Sequence, residues 1–511
     1  MSTARLLARG SFLRIVEMVA AALVGLGMTP FVLHFLGQRT YGLWVTLLTV
    51  VGYYGVLDFG LTTAVTRYVA QALGRDDRAG ANEIVRTAFV LLAGLGTGVL
   101  GLIVLSSFFV GQFVEAPADQ KLVRDTILLL GALSAFNFPA RIFSGILEGF
   151  LRYDATSAAS LARLAVTNVI LYFMLVAGYG VMAVVSGVIA GTLVQHALNF
   201  WLVYRVFPEM RLLPLRFHGE SRRLLIGYSV KSFAIKLTDI VRFRLDNLII
   251  AGFLGSYQVA FYSLGMALVG YYRSSMDSLL GVMMPVFSKT DGTGDRAVLR
   301  VQFGHAMRIS TAFAVTGGLM MLFYGRAFIE RWLGPGFGST YMVMVILVVP
   351  FMIALSQMPG MQLLFGLSQH HRIAQVNAVE AVANLGLSLA LLAKYGIYGV
   401  ALGTAISITI SKLFIQPRIV CQELGVPLRV YYGDFLTIPA LKTALPFAAV
   451  ALGVHSFIRP DYWNLLLFIT IQGVISLAVI FRFLLTKDDR GKVIVQFQRL
   501  SSRPQPSPPH S

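Results

Sequence analysis

The chain has 511 residues, of which 56% are apolar and only 13% charged, and its mean hydropathy is +0.73. Soluble domains carry about a quarter charged residues, so this composition excludes a water-soluble globule and a disordered chain alike. A net charge of +18 would suggest nucleic acid in a soluble protein; here it reads as Lys and Arg retained in cytoplasmic loops, and no nucleic-acid partner is expected.

Apolar blocks of about 20 residues recur from end to end, the length an α-helix needs to cross a roughly 30 Å hydrocarbon core. They do not alternate as barrel strands do. The fold class expected is an all-α polytopic membrane protein of about 14 transmembrane helices. Met1 to Arg14 is short and basic, but the apolar run behind it is long enough to span, so it reads as an uncleaved first helix. The spans fall near 11–36, 42–69, 86–113, 125–150, 157–177, 181–204, 227–254, 259–286, 301–328, 341–365, 373–393, 398–417, 439–458 and 463–485. Connections such as Gly37–Tyr41, Gly178–Gly180 and Gly255–Gln258 are short and force antiparallel neighbours. The N-terminus and the even-numbered loops hold roughly three times the Lys and Arg of the other side, which places both termini in the cytoplasm. The Pro/Ser-rich end, 503–511, reads as disordered.

The chain also repeats itself. Phe35-Leu36-Gly37 recurs as Phe253-Leu254-Gly255, Val51-Gly52-Tyr53-Tyr54 as Val269-Gly270-Tyr271-Tyr272, and Asp77-Arg78-Ala79 as Asp295-Arg296-Ala297, all at one offset of 218 residues. Tyr179-Gly180 recurs as Tyr395-Gly396 at 216. Six spans lie within the offset, so both halves enter the membrane in the same sense, as a parallel repeat. The expected organisation is an N-lobe (1–220), a C-lobe (221–425), two further helices (426–485) and a cytoplasmic tail (486–511). Two six-helix lobes facing each other suit alternating access, with substrate held near the midplane.

The stretches FLGQRTYGLWVTLLTVVGYYGVLDFGLTTAVTRYVAQ and DNLIIAGFLGSYQVAFYSLG resemble the polysaccharide-transporter branch of the multidrug/oligosaccharidyl-lipid/polysaccharide exporter superfamily. The resemblance spans the chain in helix count and lobe order but is carried by a small part of it. It implies a bacterial inner-membrane flippase that moves a polyprenyl-diphosphate-linked oligosaccharide from the cytoplasmic to the periplasmic leaflet. It also implies membrane lipids, a polysaccharide polymerase and chain-length machinery as partners, and a monomer as the working unit.

An ionisable side chain at the bilayer centre costs about 2.5–3.5 kcal/mol, so each one needs a reason. The seventh span carries Lys231, Lys236, Asp239, Arg242, Arg244 and Asp246. Arg242 lies roughly 20 Å along the axis from Ser229, near the midplane. A helix so charged cannot face lipid. Arg273 and Asp277 follow on the eighth span, with Arg141 and Glu148 on the fourth, Arg163 on the fifth, Arg308 on the ninth, Glu380 on the eleventh and Lys412 on the twelfth. Cations outnumber acids at these depths. That sign suits a diphosphate, whose oxygens match the planar fork of arginine. Arg242, Arg244, Lys236, Arg273, Arg141, Lys231 and Arg308 are therefore the expected substrate-binding residues. Asp58, Asp239, Asp246, Asp277 and Glu380 are the acids that could couple an ion. The competing structural reading makes Asp239–Arg242–Asp246 and Arg273–Asp277 self-neutralising pairs that join helices.

Other signals are weak. Arg75-Asp76-Asp77-Arg78 reads as a solvated loop. His370-His371 has no further ligand at metal spacing, Cys421 stands alone, and no metal is expected. No Walker loop is present, so ATP hydrolysis is excluded and no cofactor is expected. A peptidoglycan-precursor flippase or a drug–cation antiporter of the same superfamily remains the alternative. A membrane enzyme such as a polymerase lacks a positioned catalytic constellation.

Overall fold

A computed structural model describes residues 3–113, 117–213, 219–227, 229, 245–280, 283–292, 294–367 and 369–484. Among these residues every regular element is helical. α1 runs Thr3–Tyr54, a length of about 78 Å at 1.5 Å per residue, far beyond one membrane thickness. Gly37 resolves the excess: its φ of 71° and ψ of 167° break the helix at the expected first loop. The turn Gly55–Asp58, then Phe59 (φ 50°) and Gly60 (φ 80°), separate α1 from α2 (Leu61–Gly74).

Next come α3 (Arg78–Ser107), α4 (Pro117–Gly149), α5 (Tyr153–Val176), α6 (Val181–Val206), α7 (Leu245–Leu254) and α8 (Ser256–Leu280). They are followed by α9 (Met283–Asp291), α10 (Arg296–Leu333), α11 (Gly338–Ser356), α12 (Met358–Gly366) and α13 (His370–Tyr395). The last helices are α14 (Ile397–Ile410), α15 (Gln416–Leu424), α16 (Ile438–Val454) and α17 (Tyr462–Val479). Wider π turns at Ser411–Ile415 and Tyr431–Thr437 interrupt the later helices.

Eleven segments among the described residues are long and apolar enough to cross a membrane. One of them, Arg9–Tyr53, is 45 residues long and contains the Gly37 break, so it covers the first two expected spans. Only Leu245–Leu254 of the seventh span is described at helical length. α8 is long enough, but Ser256, Gln258, Arg273, Asp277 and four further serines make it polar. Large apolar side chains such as Phe173, Leu445 and Trp463 are exposed, as a surface solvated by lipid requires.

The chain divides into two compact units. The first comprises Met1–Leu264 with Leu389–Val400. In it α2, α3 and α4 pack around Val65, Val85, Ile142 and Leu147, all fully buried. α5 and α6 form a hairpin whose close approach depends on Gly187 and Gly191. A β-carbon on Gly187 would sit 2.7 Å from the Thr167 carbonyl, and one on Gly191 2.8 Å from that of Arg163. This is the small-xxx-small packing that membrane helices use in place of a hydrophobic driving force.

The second unit comprises Gly265–Ser388 with Ala401–Ser511. α10 is its axis and packs against α11, α12, α16 and α17. Phe287, Phe303, Leu363, Val420 and Tyr431 form its core.

Local geometry recurs at the sequence offset. Gly37 and Gly255 have φ of 71° and 82°, and Gly180 and Gly396 have 54° and 57°. Asp77 and Asp295 are both helix caps.

Candidate functional site

Three cation-capable side chains of the first unit come to one depth. α4 and α5 are joined by Phe150–Arg152, and α5 and α6 by Ala177–Gly180 at the opposite end. The ends at Gly149, Tyr153 and Val206 therefore face the same way. From those ends Arg141 is about 12 Å in, and Arg163 and His196 about 15 Å, near the middle of a roughly 30 Å core. Arg163 is exposed, while Arg141 and His196 are half-buried. Both guanidinium groups lie within electrostatic reach of His196. So deep an exposed arginine cannot face hydrocarbon without the full insertion cost, and it therefore faces water or protein.

Amides complete the cluster. His196 Nε2 bonds Asn137 Oδ1 at 2.9 Å, and Gln195 Nε2 donates to Ser160 Oγ at 3.0 Å. With Nε2–H as the donor, Nδ1 of a neutral imidazole is an acceptor. Neither Nδ1 nor the buried Asn199 Oδ1 has a hydrogen-bond partner among the described residues. Leaving buried acceptors bare costs about 1–3 kcal/mol each, so donors from water or a ligand belong here. At the end of this layer the charges are paired: Arg152 holds Asp154 at 2.9 Å, Arg9 reaches the same carboxylate at 3.7 Å, and Arg14 reaches Glu148 at 3.9 Å.

The acids expected to couple ions have varied surroundings. Asp58 is buried, and its Oδ1 accepts the Gly60 N–H at 2.8 Å, closing the turn before α2. Asp246 is buried and accepts the Tyr262 hydroxyl at 2.5 Å, joining α7 to α8. Arg273 and Asp277 form an i,i+4 pair at 3.7 Å with side chains 43% and 50% exposed. A pair this exposed would not face hydrocarbon without the cost of burying charge in lipid.

Glu380 is 1% exposed, on a buried polar face of α13 with Asn377, Asn384 and Ser388. Asn384 Oδ1 accepts the hydroxyls of Ser388 and Thr404, both at 3.0 Å. Further along, Lys412 in the π turn donates to Gln416 Oε1 at 2.8 Å. Gln416 donates to the Gln357 carbonyl at 2.9 Å, and Tyr431 to Gln357 Oε1 at 3.0 Å. Arg308 lines a cleft of about 410 Å³ with Arg300 and His305.

Lys231, Lys236, Asp239, Arg242 and Arg244 lie outside the described residues. Sequence reasoning had not singled out His196 and had noted Arg163 only as a deep charge. The signal available was the shared count of residues from three helix ends on one side. Among the described residues no group of His, Cys, Asp and Glu could hold a metal.

A family model described as polysaccharide biosynthesis protein matches residues 32–345. The chain belongs to this family. It is a multi-pass membrane protein of the polysaccharide biosynthesis family. An uncharacterized membrane protein of Bacillus subtilis (strain 168), EpsK, is 23% identical over 92% of this chain and 94% of its own. A Shigella flexneri protein whose name is that of an O-antigen transporter is 20% identical over 77% of this chain and 93% of its own. Among solved structures the lipid II flippase MurJ, in an inward closed conformation, shares the fold. Its TM-score is 0.68 at 13% identity, covering 93% of this chain and 98% of that one.

Proposed function

We propose that this family member is a flippase that carries a lipid-linked oligosaccharide, joined to a polyprenyl chain through diphosphate, from the cytoplasmic to the periplasmic leaflet by alternating access. The reading includes 14 spans, lobes over 1–220 and 221–425, an inner-membrane location and both termini in the cytoplasm. The observation that carries it is the convergence of Arg141, Arg163 and His196 at one depth, with amides beside them. Arginine forks bind phosphate oxygens with charge-assisted bonds about twice as strong as neutral ones. Asn137, Gln195 and Ser160 offer the neutral donors and acceptors that hydroxyl-rich sugars take up. Arg273, in the second unit, is a separate candidate for contact with the substrate, and the polyprenyl tail stays in lipid. The acids Asp58, Asp246, Asp277 and Glu380 are the candidates for coupling to an ion.

The test is a deletion strain whose lipids are extracted and assigned to a leaflet. Completed oligosaccharide units on the diphosphate carrier, stranded on the cytoplasmic side with surface polymer missing, are the expected result. An intact polymer with no stranded carrier overturns the substrate.

A further inference from the structure

The second unit carries a cleft with a chemistry of its own. α10 supplies Arg300, His305 and Arg308, and the turn beyond α15 supplies Val426 and Pro427. The cleft is about 410 Å³, and no carboxylate is among its lining residues. Arg300 spends its Nε on the Leu424 carbonyl at 2.5 Å, capping the end of α15, and its remaining donors have no hydrogen-bond partner among the described residues. Arg308 lies 6.0 Å from the Phe435 ring centroid. Its guanidinium has no hydrogen-bond or ion-pair partner among the described residues.

Depth says what the partner is. α10 has 38 residues, about 57 Å, against a hydrocarbon core of roughly 30 Å. A centred helix overshoots by about 13 Å at each end, which puts the start of hydrocarbon near His305. Arg300 then lies in the headgroup layer and Arg308 just beneath it. Val301, 58% exposed, and Pro427 give the cleft an apolar rim at the same level. A soluble anion would use the arginines and leave that rim bare. An anionic phospholipid uses both: its phosphate lies between the guanidinium groups and its chains run along the apolar rim.

We propose that this cleft binds one anionic phospholipid of the leaflet that the start of α10 enters. Arg308, expected at the transported substrate, belongs to this lipid instead. The site is independent of the transport reading.

The experiment uses the full chain in nanodiscs of phosphatidylcholine with phosphatidylglycerol as the minor lipid, followed by native mass spectrometry of retained lipid. The expected result is one retained phosphatidylglycerol per chain. Its occupancy should fall about tenfold in Arg308→Gln, as loss of a charge-assisted pair implies. Val301→Trp, which fills the exposed rim and leaves the cations in place, should lose it too. Arg308→Lys should recover part of the binding. Thermal unfolding in pure phosphatidylcholine nanodiscs checks that each variant is folded. Equal retention of phosphatidylcholine, or unchanged retention in both loss variants, overturns the proposal. So does inorganic phosphate stabilising the wild type as well as the lipid does, or a polyprenyl diphosphate displacing phosphatidylglycerol one for one at equal concentration.

Discussion

Asp77 and Asp295 stand 218 residues apart and hold the same post. Asp77 Oδ1 accepts the Gly80 N–H at 2.8 Å at the start of α3. Asp295 Oδ1 accepts the N–H groups of Ala297 and Val298 at 3.1 and 3.0 Å at the start of α10. Their backbones agree as well, with φ/ψ of −92°/79° and −82°/88°. Each aspartate satisfies amide protons that a helix start leaves without carbonyl partners.

Asp77→Ala and Asp295→Ala should each destabilise the protein by about 0.5–2 kcal/mol, while Asn at either position should keep most of the stability. Thermal unfolding of the purified variants measures this. An unchanged midpoint for both alanines would show that the caps carry no stability.

Arg141→Ala and Arg163→Ala should each weaken binding of a lipid diphosphate by roughly 10–100-fold, the loss of about 1.5–3 kcal/mol from a charged hydrogen bond. Arg→Lys should recover the charge but not the bidentate geometry. Titration with a short-chain polyprenyl diphosphate, at matched protein levels, reads the effect. Wild-type affinity in both alanine variants would remove the layer from the substrate path.

Gly191→Val should force α5 and α6 apart at the Thr167 and Arg163 level, at a cost of about 1–3 kcal/mol or more. Gly98→Ala is the matched comparison, because nothing lies within 4 Å of its added carbon. It should be neutral or slightly stabilising. Yield of folded protein and its unfolding temperature distinguish the two, and equal behaviour would refute the close-packing account.

Tyr262→Phe should destabilise by about 1–3 kcal/mol, since it strips a hydroxyl donor from the buried Asp246 carboxylate. Asp246→Asn should be milder, because its amide oxygen still accepts that hydroxyl. If the phenylalanine variant unfolds at the wild-type temperature, the bond is not stabilising.

The sequence resolved best what depends on neighbours along the chain. A run of apolar residues must be helical in lipid whatever surrounds it, because no water there satisfies its backbone. The breaks at Gly37 and Gly255 follow from glycine's freedom at positive φ, and the recurring Asp-Arg-Ala from the demands of a helix start. The "LDFGL" stretch was visible, but the post of Asp58 was not. Only the fold shows that its carboxylate closes the turn onto Gly60.

Composition, the all-helical class, the charge bias of the loops and the repeat were therefore determined by the sequence alone. Which intramembrane charges are held by other groups and which face water was decided by tertiary structure. Spacing of i, i+3 and i+4 finds partners on one helix, so it paired Arg273 with Asp277. It could not join Arg141, Arg163 and His196, which come from three helices, or give Asp246 to Tyr262, 16 residues away. Burial in lipid makes every such charge expensive, but only packing between helices determines what offsets the cost.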